Sequence, residues 1–384
     1  MIYLDNNDTT ILLPEVLDAM LPYFREKYGN PASLHALGLE AENAVEDSRK
    51  TVAAALGARP EEIIFTSGAT ESNNLAIVGA ALAQRSRGKH LMTSSVEHSS
   101  VINVMQRLAK DGYELDILPV DSEGFVDPDD VKKRIRPDTT LVSIIHANHE
   151  IGTIQDIAAI GNVCREQGVW FHTDAAQSFC KEALDVSKLP LDLVSLNSHK
   201  LHGPKGVGAL YIRKGIRIKR LMEGAFQERN MRPGTENVPA IVGFAKAVEL
   251  ISQDMVEKRG KMLDLRHRLV AGLLTIPESK LNGPTGDRRL CNNVDVLFRF
   301  IEGEAILMHL NLRGIAVSSG SACSSKTLEP SPVLTAIGLK HEESHGSIRY
   351  SLSRFTAAEE IDFTVEQTRQ VVETLRAMSA FIPM

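Results

Sequence analysis

Lys200 is the first residue whose type and position could do chemistry. Residues 191–212, LDLVSLNSHKLHGPKGVGALYI, form an alternating and then apolar run that breaks at Asn197-Ser198-His199-Lys200. The run turns at Gly203-Pro204 and resumes at Val207. That pattern predicts strand, loop, strand. A single lysine therefore stands where a buried strand ends, the place at which α/β sheets take up ligands. Partly desolvated, it offers a neutral amine near pH 7, as a Schiff-base lysine for pyridoxal phosphate must. A solvated loop lysine gives the same local pattern, so partners elsewhere in the chain decide between the two readings.

Several such partners recur at predicted strand ends. Residues 62–66 read as a strand that runs through Ser67-Gly68-Ala69-Thr70 into a helix over 71–82. A helix N-terminus of this kind suits a phosphate, although Thr70 could equally be a plain N-cap. His98 follows Thr93-Ser94-Ser95, Asn148-His149-Glu150 follows the run 141–145, and Asp174 with Gln177 follows the run 169–173. Each alone could be structural; together with Thr70 and Lys200 they form a set at one sheet edge. Further on, five serines and a glycine surround Cys323 in residues 318–327, the composition of a mobile loop. Arg349 lies on a predicted strand over 347–352.

The elements that must position these groups alternate. Helices are expected over 14–27, 37–56, 71–82, from 98, and over 127–134 and 157–167; strands over 62–66, 90–94, 114–119, 140–145 and 169–173. This βαβ alternation implies an α/β fold whose mainly parallel sheet is covered on both faces. A long helical passage over 237–275, with a break at Gly260, leads to further strands (293–297, 315–317) and helices (303–311, and about twenty residues after Thr356).

The chain of 384 residues is 43% hydrophobic, enough for a large core and two domains. Its net charge of -6 is not gathered into blocks, which argues against nucleic-acid and membrane partners. The first residues show no basic-then-apolar leader and no run approaches a membrane span, so a cytoplasmic location is expected. Cys164, Cys180, Cys291 and Cys323 have no paired spacing, so neither a disulfide framework nor a self-contained zinc site is indicated.

The chain resembles the cysteine desulfurases of the NifS/IscS-like branch, fold-type I pyridoxal-phosphate enzymes related to the class V aminotransferases. The resemblance rests on Leu4-Asp-Asn-Asn, Gly29-Asn-Pro-Ala-Ser, Phe65-Thr-Ser-Gly-Ala-Thr-Glu, Glu97-His98, Asp174-Ala-Ala-Gln177, Ser198-His-Lys200-Leu-His-Gly-Pro-Lys-Gly, Arg232-Pro-Gly-Thr-Glu and Ser318-Ser-Gly-Ser-Ala-Cys323. It implies a large cofactor-binding domain over 13–255, and a smaller α+β domain from 1–12 and 256–384 that carries the cysteine loop. The activity implied is conversion of L-cysteine to L-alanine, with sulfur held as a persulfide on Cys323 and passed on, for iron-sulfur cluster assembly.

The same resemblance assigns roles. Lys200 holds pyridoxal 5'-phosphate and moves the Cα proton, Asp174 pairs with the ring nitrogen, His98 stacks on the ring and shuttles protons, and Gln177 meets the ring hydroxyl. The Ala69 backbone, Thr70, Asn197 and His199 hold the phosphate, with Thr235 from the second subunit of a homodimer. Arg349 clamps the substrate carboxylate, with Asn7 and His149 beside it. Cys323 is also a candidate ligand to a cluster metal shared with an iron-sulfur scaffold protein. Alternatives are a selenocysteine lyase or aminotransferase of the same fold, or a weakened docking partner of such a scaffold.

Departures from the family pattern are Asp8 for Ala, Asn197 for Ser, Ala225 and Phe226 in a glycine-rich turn, Pro233 for Ser, and His149 for the second Asn of Asn-Asn-Glu. The His149 departure is expected to bring a group titrating near neutrality beside cofactor and substrate, unless Asn148 has taken over the contact.

Overall fold

The computed structural model describes residues 1–319 and 330–378, so Cys323 lies outside the described residues. In chain order the strands are β1 (Ile2–Tyr3), β2 (Ile63–Thr66), β3 (His90–Ser94), β4 (Glu114–Leu118), β5 (Thr139–Ser143), β6 (Trp170–Asp174), β7 (Leu193–Asn197) and β8 (Gly208–Ile212). They continue as β9 (Ser279–Leu281), β10 (Asn293–Phe298), β11 (Ile315–Ala316), β12 (Ser318–Ser319) and β13 (Ser347–Ser351).

The main sheet has the order β2-β8-β7-β6-β5-β3-β4, and every strand but β8 runs the same way. Its central strands are buried but for Trp170 and Ile212 at their ends, and neighbouring residues serve opposite faces. Val142, Val194 and Ala209 join one core with the helices Ala36–Leu56 and Val238–Leu273, whereas Leu141, Leu193 and Leu210 join another with the helices Ala69–Ala83 and Ser99–Lys110. The period-2 geometry of a strand thus makes a run such as TTLVS apolar enough for two helix layers at once. A smaller antiparallel sheet, ordered β12-β13-β10-β9, and the short parallel pair β1-β11 make up the rest. Leu4, Val294, Phe298, Tyr350 and Ile361 share a separate core there.

Local chemistry sets many boundaries. Asp127 caps Asp129 N–H with Pro128 following, Asp156 caps Ala159 N–H, and His98 caps Ser100 N–H. The helix expected over 14–27 is two pieces, Pro14–Met20 and Pro22–Arg25, because Pro22 interrupts the amide ladder. The long helix bends at Asp254, with φ -130° and ψ 21°, instead of at Gly260. Asp254 pairs there with Arg354. Residues 318–319 form β12 before the cysteine segment begins.

The strands that run the same way end at one edge, and five of the six end on polar residues: Thr66, Ser94, Ser143, Asp174 and Asn197. Asp174 and Asn197 are the last residues of β6 and β7, and Lys200 follows three residues after β7. No helix among the described residues is long and apolar enough to cross a membrane.

Candidate active site

Asp174, the last residue of β6, is buried. Its Oδ2 accepts from Asn73 Nδ2 at 2.7 Å and its Oδ1 from Ala176 N–H at 2.9 Å. The same Asn73 nitrogen donates to Ser100 Oγ at 2.8 Å. Ser100 Oγ in turn lies 2.7 Å from His98 Nδ1, which also accepts the Ser100 N–H at 3.1 Å. With Nδ1 an acceptor, the proton of neutral His98 sits on Nε2. Burial, first among the causes, also lowers the pKa of His98. One helix residue therefore ties the carboxylate at the end of β6 to the histidine that opens the helix Ser99–Lys110.

Lys200 follows β7 by three residues, and the N-terminal segment crosses over it. Its Nζ donates to the Asn7 carbonyl and, at 2.5 Å, to the Asp8 carbonyl. Gln177 Nε2 donates to the same Asn7 carbonyl at 2.8 Å. Thr10 fixes the neighbour, its Oγ1 donating to the His199 carbonyl at 2.9 Å, while His199 Nδ1 lies 3.2 Å from Thr9 Oγ1. Burial pulls the Lys200 pKa down to about 8, against an upward pull from Asp8. A neutral amine is thus accessible near neutral pH.

Arg349 sits in the middle of β13 and is fully buried. Its Nη2 donates to Asp8 Oδ1 at 2.8 Å and to Asp5 Oδ1 at 3.0 Å, and its Nη1 to the His149 carbonyl at 3.3 Å. Asn7 Nδ2 reaches that same carbonyl at 3.1 Å. Burial, reinforced by Asp8 and opposed by Arg349, raises the Asp5 pKa to about 6.

The His149 ring meets the His98 ring edge-on, with centroids 5.2 Å apart. Burial first, then the neighbouring His98, Arg349 and Lys200, push the His149 pKa well below its ordinary value. The expectation of a group titrating near neutrality is thereby corrected. Asn148 has not taken its place: its Nδ2 donates to the Val96 carbonyl, and its Oδ1 accepts from the N–H groups of Glu150 and Ile151.

The helix Ala69–Ala83 begins two residues earlier than expected, so Thr70 stands inside its first turn and is not its cap. Gly68 occupies the cap position with φ 152°, and a Cβ on Gly208 would fall 2.7 Å from Gly68 Cα. Two glycines therefore let β8 and the helix start approach closely beside the Asn197 end of β7. A cavity of about 380 Å³ adjoins this helix start, lined by Ser67, Thr70, Glu71 and Arg232 among others. Thr235 is exposed.

Buried polar atoms without a protein partner include Asn197 Oδ1 and Ser198 Oγ just before Lys200, His149 Nδ1 and Arg349 Nε. A polar ligand would satisfy atoms left open in this way. The donor set fits pyridoxal phosphate: an amine on Lys200, a carboxylate on Asp174, and a helix start with Thr70 for an anion. Among the cysteines, burial raises the thiol pKa of Cys164 and Cys180 to about 12 and of Cys291 to about 11. None of these three is a ready thiolate. Among the described residues no group of three or more His, Cys, Asp or Glu side chains is placed to hold a metal.

Sequence reading missed Asn73 and Asp5. The signal for Asn73 was an Asn pair inside a helical run, where asparagine is a poor helix former. Asp5 lies in a segment legible only as a polar loop.

The aminotransferase class-V family profile matches residues 2–363. The cysteine desulfurase IscS of Methanosarcina thermophila is 50% identical over 383 residues, covering 100% of this chain and 94% of that protein. The cysteine desulfurase IscS of Dictyoglomus turgidum is 48% identical over 381 residues, 99% of this chain and 96% of that protein. Among solved structures, a NifS-like protein superposes with a TM-score of 0.92 at 38% identity, covering 97% of this chain and 100% of that one. SspA in complex with cysteine gives a TM-score of 0.82 at 36% identity, over 93% of this chain and 100% of that one.

Proposed function

This chain belongs to the class-V aminotransferase family, a pyridoxal-phosphate-dependent family, and we propose that it is a cysteine desulfurase that releases L-alanine and carries the sulfur of L-cysteine on Cys323. The observation that carries the reading is that Lys200, Asp174 and His98 stand at strand ends of the main sheet while Arg349 of the smaller sheet pairs with the Asp5–Asp8 turn that crosses Lys200, in a chain half identical over its full length to a cysteine desulfurase.

When bound, pyridoxal phosphate supplies an electron sink that makes bonds at the amino-acid Cα and Cβ labile. Lys200 is the attachment point, and its depressed pKa leaves an amine able to take the Cα proton once released. Asp174, held by Asn73 and the Ala176 N–H, accepts from the ring nitrogen and keeps it protonated. His98 offers its Nε2 proton from a ring fixed by Ser100. Thr70, the Ala69 backbone, Asn197 and His199 receive the phosphate, with Thr235 of a second protomer, and Gln177 receives the ring hydroxyl. Arg349, flanked by Asn7 and His149, takes the substrate carboxylate as a fork.

The Cys323 thiolate then forms a new S–S bond as the Cβ–S bond of the substrate breaks. That electron pair stays with carbon, which is protonated on the way to alanine. The sulfur acceptor in this reading is an iron-sulfur scaffold protein, and the enzyme is a homodimer. The test is to supply L-cysteine with a thiol reductant and measure alanine and sulfide together. Equal amounts support the reading, and neither product contradicts it.

A further inference from the structure

Arg349 has five N–H donors, and their occupancy is uneven. Both hydrogens of Nη2 are taken, one by Asp8 Oδ1 at 2.8 Å and one by Asp5 Oδ1 at 3.0 Å. Nη1 reaches only the His149 carbonyl, at 3.3 Å, and Nε is buried without a partner. A carboxylate can engage a guanidinium at two points either through Nε and Nη2 or through Nη1 and Nη2. Both arrangements need Nη2. An incoming carboxylate must therefore remove one of the two aspartates already there.

The geometry decides which one leaves. The Asp5 side chain is 19% exposed and the Asp8 side chain 42%. Asp8 is also held by its backbone independently of its side chain: its N–H donates to the Asp5 carbonyl at 3.1 Å, and its own carbonyl accepts from Lys200 Nζ at 2.5 Å. Rotation about the Asp8 Cα–Cβ bond can vacate Nη2 and leave the turn, Lys200 and the Asp5 pair in place.

We propose that Asp8 is a tethered competitor of the substrate carboxylate, occupying Nη2 of Arg349 until an α-amino acid displaces it, and so sets the affinity for cysteine. This rests on the reading of Arg349 as the carboxylate clamp. An amine without a carboxylate, such as cysteamine, has no need of Nη2 and escapes the competition.

The test uses the cofactor-loaded enzyme and its Asp8→Ala and Asp8→Asn variants. Steady-state kinetics give KM and kcat for cysteine, and calorimetry gives the affinity for propionate, a bare carboxylate, and for cysteamine. Asp8→Ala should tighten propionate and lower the KM for cysteine, each by about two- to fivefold, the loss of a partly exposed ion-pair competitor. Cysteamine affinity should stay as it was. Asp8→Asn should fall between, since a neutral amide oxygen is a weaker acceptor. If Asp8→Ala weakens propionate and cysteine, Asp8 braces Arg349 and the proposal is overturned; unchanged values overturn it as well. Propionate reports on Arg349 whether or not cysteine is turned over. Tightened propionate binding without desulfuration would thus uphold Asp8 as the competitor while removing the desulfurase reading.

Discussion

Asn73 and Asp174 are 101 residues apart in sequence and 2.7 Å apart in space, and the Asn73 nitrogen that donates to Asp174 also donates to Ser100. Both hydrogens of one amide are consumed between the carboxylate meant for the cofactor ring and the serine that orients His98. Asn73→Leu leaves Asp174 Oδ2 and Ser100 Oγ without their donor in a buried site. The expected cost is about 1–3 kcal/mol of stability, together with faster loss of pyridoxal phosphate. Urea denaturation and the rate at which the yellow absorbance fades on dialysis check both; retention equal to wild type would show that Asn73 does not position Asp174.

Lys200→Ala should abolish the yellow absorbance of the attached cofactor and all turnover while leaving far-ultraviolet dichroism as in wild type. The lysine is half-buried, with Nζ donating to main-chain carbonyls, so its loss opens no ion pair. Borohydride reduction of the wild-type protein followed by peptide mapping should find the cofactor on Lys200. Mapping to another lysine refutes the assignment.

His149→Asn should leave the shape of the activity profile unchanged between about pH 6 and 8, the range in which an unperturbed histidine would change charge. Burial first, with His98, Arg349 and Lys200 nearby, holds the His149 pKa well below the ordinary histidine range. The contact with Arg349 is made by the main-chain carbonyl of residue 149, which the substitution retains. A flattened acid limb of kcat/KM in the variant would show that His149 does carry charge there.

Much of this site is legible in the sequence because it sits where strands end. A buried strand announces itself by its apolar run, so the first polar residues after it, Asp174, Asn197 and Lys200, can be placed at one edge without any coordinates. The pairings that complete the site are not local. Asp8 and Arg349 are 341 residues apart, and a short polar turn carries no sign that it will fold over a strand near the other end of the chain. The bend at Asp254 was also invisible. A glycine weakens a helix and draws attention, but the bend falls at a residue paired with Arg354 from another part of the fold. The depressed pKa of His149 is likewise a property of its neighbours, not of its residue type.

Glu97 should make the fold less stable as pH rises. Burial raises its pKa from an ordinary 4.5 to about 8. Within that window the native state keeps a proton that the unfolded chain has released. The stabilisation is whole below about pH 4.5 and is lost as pH rises towards 8, at no more than about 1.4 kcal/mol per pH unit from this one group. Its Oε1 accepts from Ser94 Oγ at 2.5 Å and Ile145 N–H at 2.9 Å, both of which a Gln amide oxygen can replace. Glu97→Gln should therefore reduce the decline in unfolding free energy between about pH 5 and 8, measured by urea titration of the protein at several pH values. An identical slope in both proteins would mean that Glu97 is ionised in the fold.

The central claim is that cysteine sulfur moves onto Cys323, and mass spectrometry tests it most directly. The cofactor-loaded protein is given one turnover of isotopically labelled cysteine without reductant, alkylated and digested. A labelled persulfide should map to the peptide containing Cys323, with one alanine released per persulfide. Cys323→Ser should keep the yellow absorbance and form none. Label found instead on Cys164, Cys180 or Cys291, or undiminished sulfur transfer by Cys323→Ser, would contradict the account.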